Sequence, residues 1–294
     1  MSALPKISVI TPCFNSIHTI RDTIESVRRQ EYPNLEHIVV DGGSKDGTVD
    51  LIKEYPHLRW ISEKDEGHYH AMNKGIGMAT GELVNILNAD DCFRAGALKT
   101  VGEAFVAHPE WDGCFGDIVY VNGAGKEIYR REEAKFDYDV LRFSGVCNVI
   151  HQTMFVRKAL HDRLGLYKHK EFLNSCDFDF ILELGRAKCR MGHVRALLVD
   201  YRYHEHGQSA DQRVTRNMAR EGAIIRARHG VPNGVVGKIL RVIFRAKRQA
   251  QKLIYRGKLD LRSGSSILKK HMKPATSFTS NISMEKLEGK EVKN

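Results

Sequence analysis

Between Lys6 and Asp91 the sequence alternates four short apolar runs with stretches of helical spacing, and few folds accommodate that alternation. Lys6–Pro12, Glu36–Asp41, residues 58–62 and Glu82–Leu87 read as strands. Between them, Ile17, Ile20, Ile24 and Val27 share one helical face, residues 49–55 form a second helix, and Tyr69, Met72 and Ile76 mark a third. The order β-α-β-α-β-α-β predicts an α/β fold with a mostly parallel sheet, right-handed crossovers and flanking helices. Three of its strands end in Thr11-Pro12, Asp41 and Asp90-Asp91, so all three ends belong on one sheet edge. Open α/β sheets bind their ligands at that edge.

Asn88-Ala89-Asp90-Asp91 is the most informative of these ends. Adjacent carboxylates at the end of a buried strand repel each other. A hard divalent cation removes the repulsion and takes oxygen ligands. A solvated turn is the competing reading, because Asn and Asp are ordinary turn residues. Gly42 to Thr48 forms a tight turn in which Thr48 suits a helix N-cap. Gly75-Ile76-Gly77-Met78-Ala79-Thr80-Gly81 follows a helix and lacks the spacing of a dinucleotide loop, so it reads as a helix end and a turn.

After Asp91 the alternation fades. A helix is expected over 95–107, and strands over 114–121, 151–156 and 194–203; the first of these suits antiparallel pairing with the sheet. Residues 122–148 carry no clear pattern. Asp177-Phe178-Asp179 opens a helix whose acidic first turn suits the helix dipole.

Charge divides the chain. Residues 1–230 carry 31 Lys and Arg against 32 Asp and Glu, whereas residues 231–294 carry 15 against 4. A near-neutral body, 1–230, is thus followed by a basic helical extension, 231–262, and a tail, 263–294, with little periodicity and an expectation of disorder. In the extension, Val235 to Arg256 is a basic amphipathic helix. Its apolar stripe suits either a membrane interface or packing on the body with the charges solvated. Nucleic acid ranks below both, because no aromatic interleaving accompanies the charge. Six scattered cysteines without a Cys-x-x-Cys pair read as reduced thiols in a cytosolic protein. No apolar run is long enough to span a bilayer, and the N-terminus runs directly into a strand, so no signal peptide is expected.

Several motifs, in order and at matching spacing, resemble family 2 glycosyltransferases, the inverting, nucleotide-sugar-dependent enzymes of the GT-A fold. They are Ile7 to Asn15, Val40 to Thr48, Asp65-Glu66-Gly67 with Ala71-Met72-Asn73-Lys74-Gly75, Leu87 to Asp91, His151-Gln152 before Phe155, and Asp177-Phe178-Asp179. The resemblance covers roughly residues 6–210 and is nearest to bacterial surface-polysaccharide enzymes. It implies Mg²⁺ or Mn²⁺, a nucleotide-sugar donor, a lipid-linked or other saccharide acceptor, and work at the cytoplasmic face of an anionic membrane.

The resemblance also implies residue roles. Asp177 is the base. Asp91 is the direct metal ligand, with Asp90 nearer the ribose. Thr11, Pro12, Asn15, Asp41, Asp65 and Lys74 line the donor pocket. His204 meets the metal or diphosphate from the far side, or is a solvated loop histidine. The chain departs from the family at Gly42, where many members carry an acid, at His70, in place of an Asp, and at Cys176, where an acid often precedes the base. Without a Gln-x-x-Arg-Trp motif or following spans, one sugar per encounter is expected rather than processive synthesis. Two other functions compete. A sugar nucleotidyltransferase would show a Gly-rich basic loop where Pro12-Cys13-Phe14-Asn15 stands. A non-catalytic nucleotide-sugar-binding protein would have no need of the acids at 90, 91 and 177.

Overall fold

The computed structural model describes residues 3–203 and 211–255. Its organising unit is four parallel strands: β1 (Ile7–Cys13), β2 (Leu35–Asp41), β3 (Arg59–Ser62) and β4 (Leu83–Ile86). β1 lies between β2 and β4, with Cys13 opposite Asp41 and Ile10 opposite Ile86, and β3 extends the sheet beyond β2. The connecting helices are α1 (Ile20–Arg28), α2 (Thr48–Lys53) and α3 (His68–Met78). Ile17 lies in the loop before α1. Thr48 is the first residue of α2 and not its cap: Gly47 takes the left-handed cap conformation, and Asp46 accepts the Thr48 N–H. Residues 75–81 end α3 and turn into β4, as their sequence suggests. Gly75 lets α3 lie close on the sheet, since a Cβ there would sit 2.3 Å from an Ile10 methyl.

The remaining elements are β5 (Cys92–Phe93), α4 (Ala97–Ala107), β6 (Gly113–Val121), β7 (Glu127–Arg131), α5 (Tyr138–Ser144), β8 (Phe155–Arg157), α6 (Ala159–Leu164), α7 (Cys176–Arg186), β9 (Met191–Arg202), α8 (Gln212–Arg228) and α9 (Gly234–Tyr255). The sheet runs β3-β2-β1-β4-β8-β6-β9-β5, with β7 beside β6. β6 is antiparallel to β7 and β8 but parallel to β9. The strand expected over 151–156 begins only at Phe155. Before it, His151–Thr153 is a 3-10 turn, whose Gln152 carbonyl accepts from the Asn85 side-chain amide, as does the Met154 carbonyl. Within 122–148, β7 escaped the pattern because most of it is exposed and charged. Apolar side chains from both faces of the sheet form the core, with Ile10, Phe115 and Leu182 on one side and Ile7, Leu98 and Phe155 on the other.

α9 does not pack its apolar stripe on the body, the second of the two expectations for it. It lies against α5 through its cationic side. Arg248 and Lys252 reach the fully buried Glu133, and Lys247 and Gln251 each reach the Asp137 carboxylate at 2.8 Å. Arg245 Nε donates to the Ser144 carbonyl at 3.1 Å, and the Phe244 ring lies 4.8 Å from Phe143. Meanwhile Val235, Val236, Ile239, Val242 and Ile243 are 53–71% exposed. The physical reason is Glu133: a buried carboxylate requires cations, and α9 supplies two beside Arg131. No described helix is long and apolar enough to cross a membrane. His204, Arg256 and the tail 263–294 lie outside the described residues.

Burial alone would raise the Glu133 pKa, but Arg131, Arg248 and Lys252 outweigh it and hold the carboxyl below its ordinary range. A depressed folded-state pKa contributes stability above the unfolded value, near ~4.3, and that contribution is lost as pH falls through the folded value. Glu133→Gln, which leaves the cations uncompensated, is expected to cost about 3 kcal/mol at neutral pH. Its melting temperature should also fall less than the wild type's between neutral and acidic pH. Thermal melts of both proteins across that range check this.

Candidate active site

The loops after β1 and β2 are laced together at the sheet edge. The Asn15 N–H donates to Ser44 Oγ at 2.7 Å, and Asn15 Oδ1 accepts the Lys45 N–H. Ser16 and Ile17 donate their N–H groups to Thr48 Oγ1 and Asp46 Oδ2. Asn15 holds φ +49°, a left-handed conformation that Asn tolerates better than most residues. Phe14 stands exposed at the rim.

Asp41 and Thr11 sit deeper than the resemblance implies. Asp41 is fully buried, and its oxygens accept from the Gly43 and Ser44 N–H groups and from the Ser44 and Ser62 hydroxyls. Burial pushes its pKa up, but these donors outweigh burial and hold the carboxyl below its ordinary range. Its side chain therefore shapes the 42–48 loop. Thr11 is fully buried and spends its hydroxyl on His37 Nε2 at 3.0 Å. Burial first, and then His57, pushes the His37 pKa down to about 3, so that ring is neutral. Thr11 thus makes a core contact here, because β1 lies in the middle of the sheet and is buried along its whole length. Pro12 is buried beside it.

Asp65 and Lys74 form the flank. Lys74 Nζ lies 2.6 Å from Asp65 and 2.7 Å from Glu63, so α3 grips the loop after β3, and this ammonium is engaged by carboxylates. Asp65 also explains Gly42. A Cβ at residue 42 would lie 3.3 Å from Asp65 Oδ2 and equally close to Phe14. The Asp65 carboxylate thus lies beside position 42, where many family members carry an acid of their own.

The acidic turn after β4 divides its labour. Asp91 is buried: its Oδ1 accepts the Arg202 N–H at 2.9 Å, and its carbonyl accepts the Thr23 hydroxyl. Its Oδ2 is buried without a hydrogen-bond partner. Burial first, and the adjacent Asp90 charge second, push its pKa well above the ordinary value against the Arg202 N–H and Gln152. Asp90 is half-buried. Arg202, which sequence reasoning missed, ties this turn down. Its guanidinium reaches the Asp90 carbonyl, the Gly123 carbonyl and Asp22. The residue types fit a hard cation: two adjoining carboxylates, one with a buried oxygen lacking a donor.

Asp177 lies at the start of α7, as expected. Its Oδ1 accepts the Tyr69 hydroxyl at 2.7 Å, so α3 also orients this acid. Tyr69 packs against His68 and Tyr167, and the Tyr167 hydroxyl meets His151 Nε2 at 2.7 Å. Asp179, by contrast, is buried against Lys168 at 2.9 Å. Cys176 is buried and donates its thiol to the Phe172 carbonyl. Spacing gave the helix start, but Tyr69 registered only as an apolar face position.

Two other groups have ligand-like spacing among the described residues. Glu66, His70 and His169 converge, but His70 Nδ1 accepts the Glu66 N–H and His169 Nδ1 faces the Asn73 amide nitrogen. The Asn73 amide is oriented by the Tyr167 backbone, so both rings present an Nε2 proton and not a lone pair. Asp179, Glu183 and His229 converge, but the Lys168 ammonium already meets both carboxylates and supplies the positive charge. Neither group carries the features of a metal centre.

A profile described as Glycosyl transferase family 2 matches residues 8–165. The chain belongs to that family. A PGL/p-HBAD biosynthesis glycosyltransferase of Mycobacterium bovis is 33% identical over 184 residues, 60% of this chain and 69% of that one. An uncharacterised glycosyltransferase of Mycobacterium tuberculosis is 30% identical over 210 residues, 68% of this chain and 76% of that one. The fold is that of GT-A glycosyltransferases. A mannosyltransferase of Pyrobaculum calidifontis, solved with GDP-Man and Mn²⁺, superposes with TM-score 0.58 at 19% identity over 89% of this chain and 78% of that one. Staphylococcus aureus TarS 1–349 with UDP-GlcNAc gives 0.56 at 18% identity over 87% and 77%. This member of the family is therefore a glycosyltransferase.

The placement of Thr11 is testable. Thr11→Val should lower stability by about 1 kcal/mol through the lost His37 bond. It should leave nucleotide binding within about twofold, since that change is under 0.5 kcal/mol. Isothermal titration with UDP and GDP, beside a denaturant melt, measures both.

Proposed function

We propose that this family member transfers a single sugar, with inversion, from a nucleotide-sugar to a saccharide acceptor carried on a lipid, in surface-polysaccharide assembly. The supporting observation is the convergence at one sheet edge of the laced 14–19 and 42–48 loops, the Asp90–Asp91 turn and, through Tyr69, Asp177. Relatives solved with UDP-GlcNAc and GDP-Man support a nucleoside diphosphate sugar as donor. The resemblance to surface-polysaccharide enzymes favours a lipid-borne acceptor. Such an acceptor would be met at the cytoplasmic face of a membrane, with residues 1–230 as the catalytic body and 231–262 as an appended helical unit.

In this reading Asn15, Pro12 and the loop shaped by Asp41 cradle the nucleotide, while Asp65, held by Lys74, stands where base recognition needs a carboxylate. Asp90 and Asp91 would hold Mg²⁺ or Mn²⁺, which offsets charge on the departing diphosphate. Asp91, anchored through Arg202, would offer the ion its unpartnered Oδ2, and the more exposed Asp90 would offer a second carboxylate. His204, outside the described residues, keeps the role the resemblance implies, meeting the metal or diphosphate, with a solvated loop histidine as the alternative. Asp177 accepts the proton of the acceptor hydroxyl as that oxygen bonds to the anomeric carbon. The bond from that carbon to the diphosphate oxygen breaks, and the nucleoside diphosphate leaves with its electron pair. Tyr69 fixes the Asp177 carboxylate for this task.

Transfer is expected to stop in excess EDTA and return with Mn²⁺. Asp91→Asn should lose most metal-dependent nucleotide binding, and Asp90→Asn should weaken it, since each removes a carboxylate from the ion. Titrating UDP and GDP with and without Mn²⁺ ranks the two; metal-independent transfer removes the metal reading. Asp177→Asn should retain donor binding but lose kcat by about 10² or more, with Asp179→Asn milder. Transfer assays on both variants, with acceptor glycolipid and a UDP- and GDP-sugar panel, test the base.

A further inference from the structure

With its cationic side turned to Glu133 and Asp137, α9 leaves an aliphatic strip, Val235, Val236, Ile239, Val242 and Ile243, facing outward. These residues follow helical spacing and line one side of the first half of the helix. Lys238 and Arg241 are exposed within the same turns, and the described helix contains no acidic residue. Next to it, Arg226 of α8 and Arg245 converge on the end of α5. A Cβ at Gly145 would lie 3.6 Å from the Arg226 guanidinium, and Arg245 bonds to Ser144. Burial first, and then Arg241 and Arg245, lower the Arg226 pKa, which marks the crowding of like charges; the guanidinium remains charged all the same. Among the described residues no carboxylate pairs with Arg226 or Arg241.

We propose that this face of α9, with Arg226 beside it, docks on a membrane surface rich in anionic lipid. The aliphatic strip enters the acyl boundary, and Arg226, Arg241 and Lys238 meet headgroup phosphates. Charge complementarity selects this occupant. A second copy would bring the same cations against themselves, and residues 256–294, with nine Lys and Arg against four acids, carry the wrong sign to cover the strip. The helix docks while still held by Glu133 and Asp137, so it lies between the body and the membrane. This deepens the lipid-borne acceptor reading, on which its place in the reaction rests.

The test uses the full chain and vesicles of phosphatidylcholine with and without phosphatidylglycerol. Sedimentation should show binding only to the anionic vesicles, released by high salt. The combined variant Ile239→Ser, Val242→Ser, Ile243→Ser should reduce binding by at least about tenfold. Arg226→Gln with Arg241→Gln should reduce it by about thirtyfold. Both variants should keep their melting temperature, since neither touches the Glu133 and Asp137 contacts. Equal binding to both vesicle types, no binding, or binding untouched by either variant overturns the proposal. So does a dimer in sedimentation equilibrium that the serine variant abolishes, which assigns the strip to a second copy. Sugar transfer by the same samples separates the two readings: vesicle binding without transfer to a lipid-borne acceptor removes the acceptor reading, and such transfer without vesicle binding removes this one.

Discussion

Parallel pairing of β1 with both β2 and β4 is the constraint on which the rest depends. It places the carboxyl ends of all three strands on one edge, so the Asp41 loop and the Asp90–Asp91 turn have no other place to go. The mixed second half of the sheet then serves that edge. β9 runs parallel to β6 and brings Arg202 to the acidic turn, and β8 fixes the 3-10 turn that carries His151 and Gln152. Residues far apart in sequence thus converge through register alone.

The first half of this architecture was legible because the strand runs, helical faces and turn chemistry agree with one another there. The second half was harder to read. The Phe155 strand is short, β7 is an exposed edge, and α8 has few buried positions to mark its period. The acids at 41, 65, 90, 91 and 177 could be found by motif, but their burial could not. Thr11 and Asp41 are matched to the family and yet face inward, because orientation within a strand end depends on which neighbour takes the hydroxyl or carboxylate. Tyr69 and Arg202 carried no signal of their own. A tyrosine on an apolar face and an arginine at a strand end acquire roles only when partners more than a hundred residues away arrive.

α9 shows where pattern reading fails for a physical reason. An apolar stripe is normally taken as the inward face, because hydrophobic burial usually dominates. Here Glu133, buried and distant in sequence, makes the cations the inward side. Charge neutralisation in a low-dielectric setting outweighs the aliphatic area left in solvent. The sequence of the helix alone does not contain that competitor.

α3 carries a consequence of its own. Lys74 holds the loop after β3, Asn73 clips the Tyr167 backbone, and Tyr69 orients Asp177, all from successive turns of one helix packed close on β1 at Gly75. A single inserted or deleted residue in this helix would rotate everything beyond it by roughly 100° and break these attachments together. Lineage divergence should therefore spare the length of this segment while freely varying the loop between β6 and β7. Substrate preference then has to evolve by exchange of side chains around a spindle of constant length.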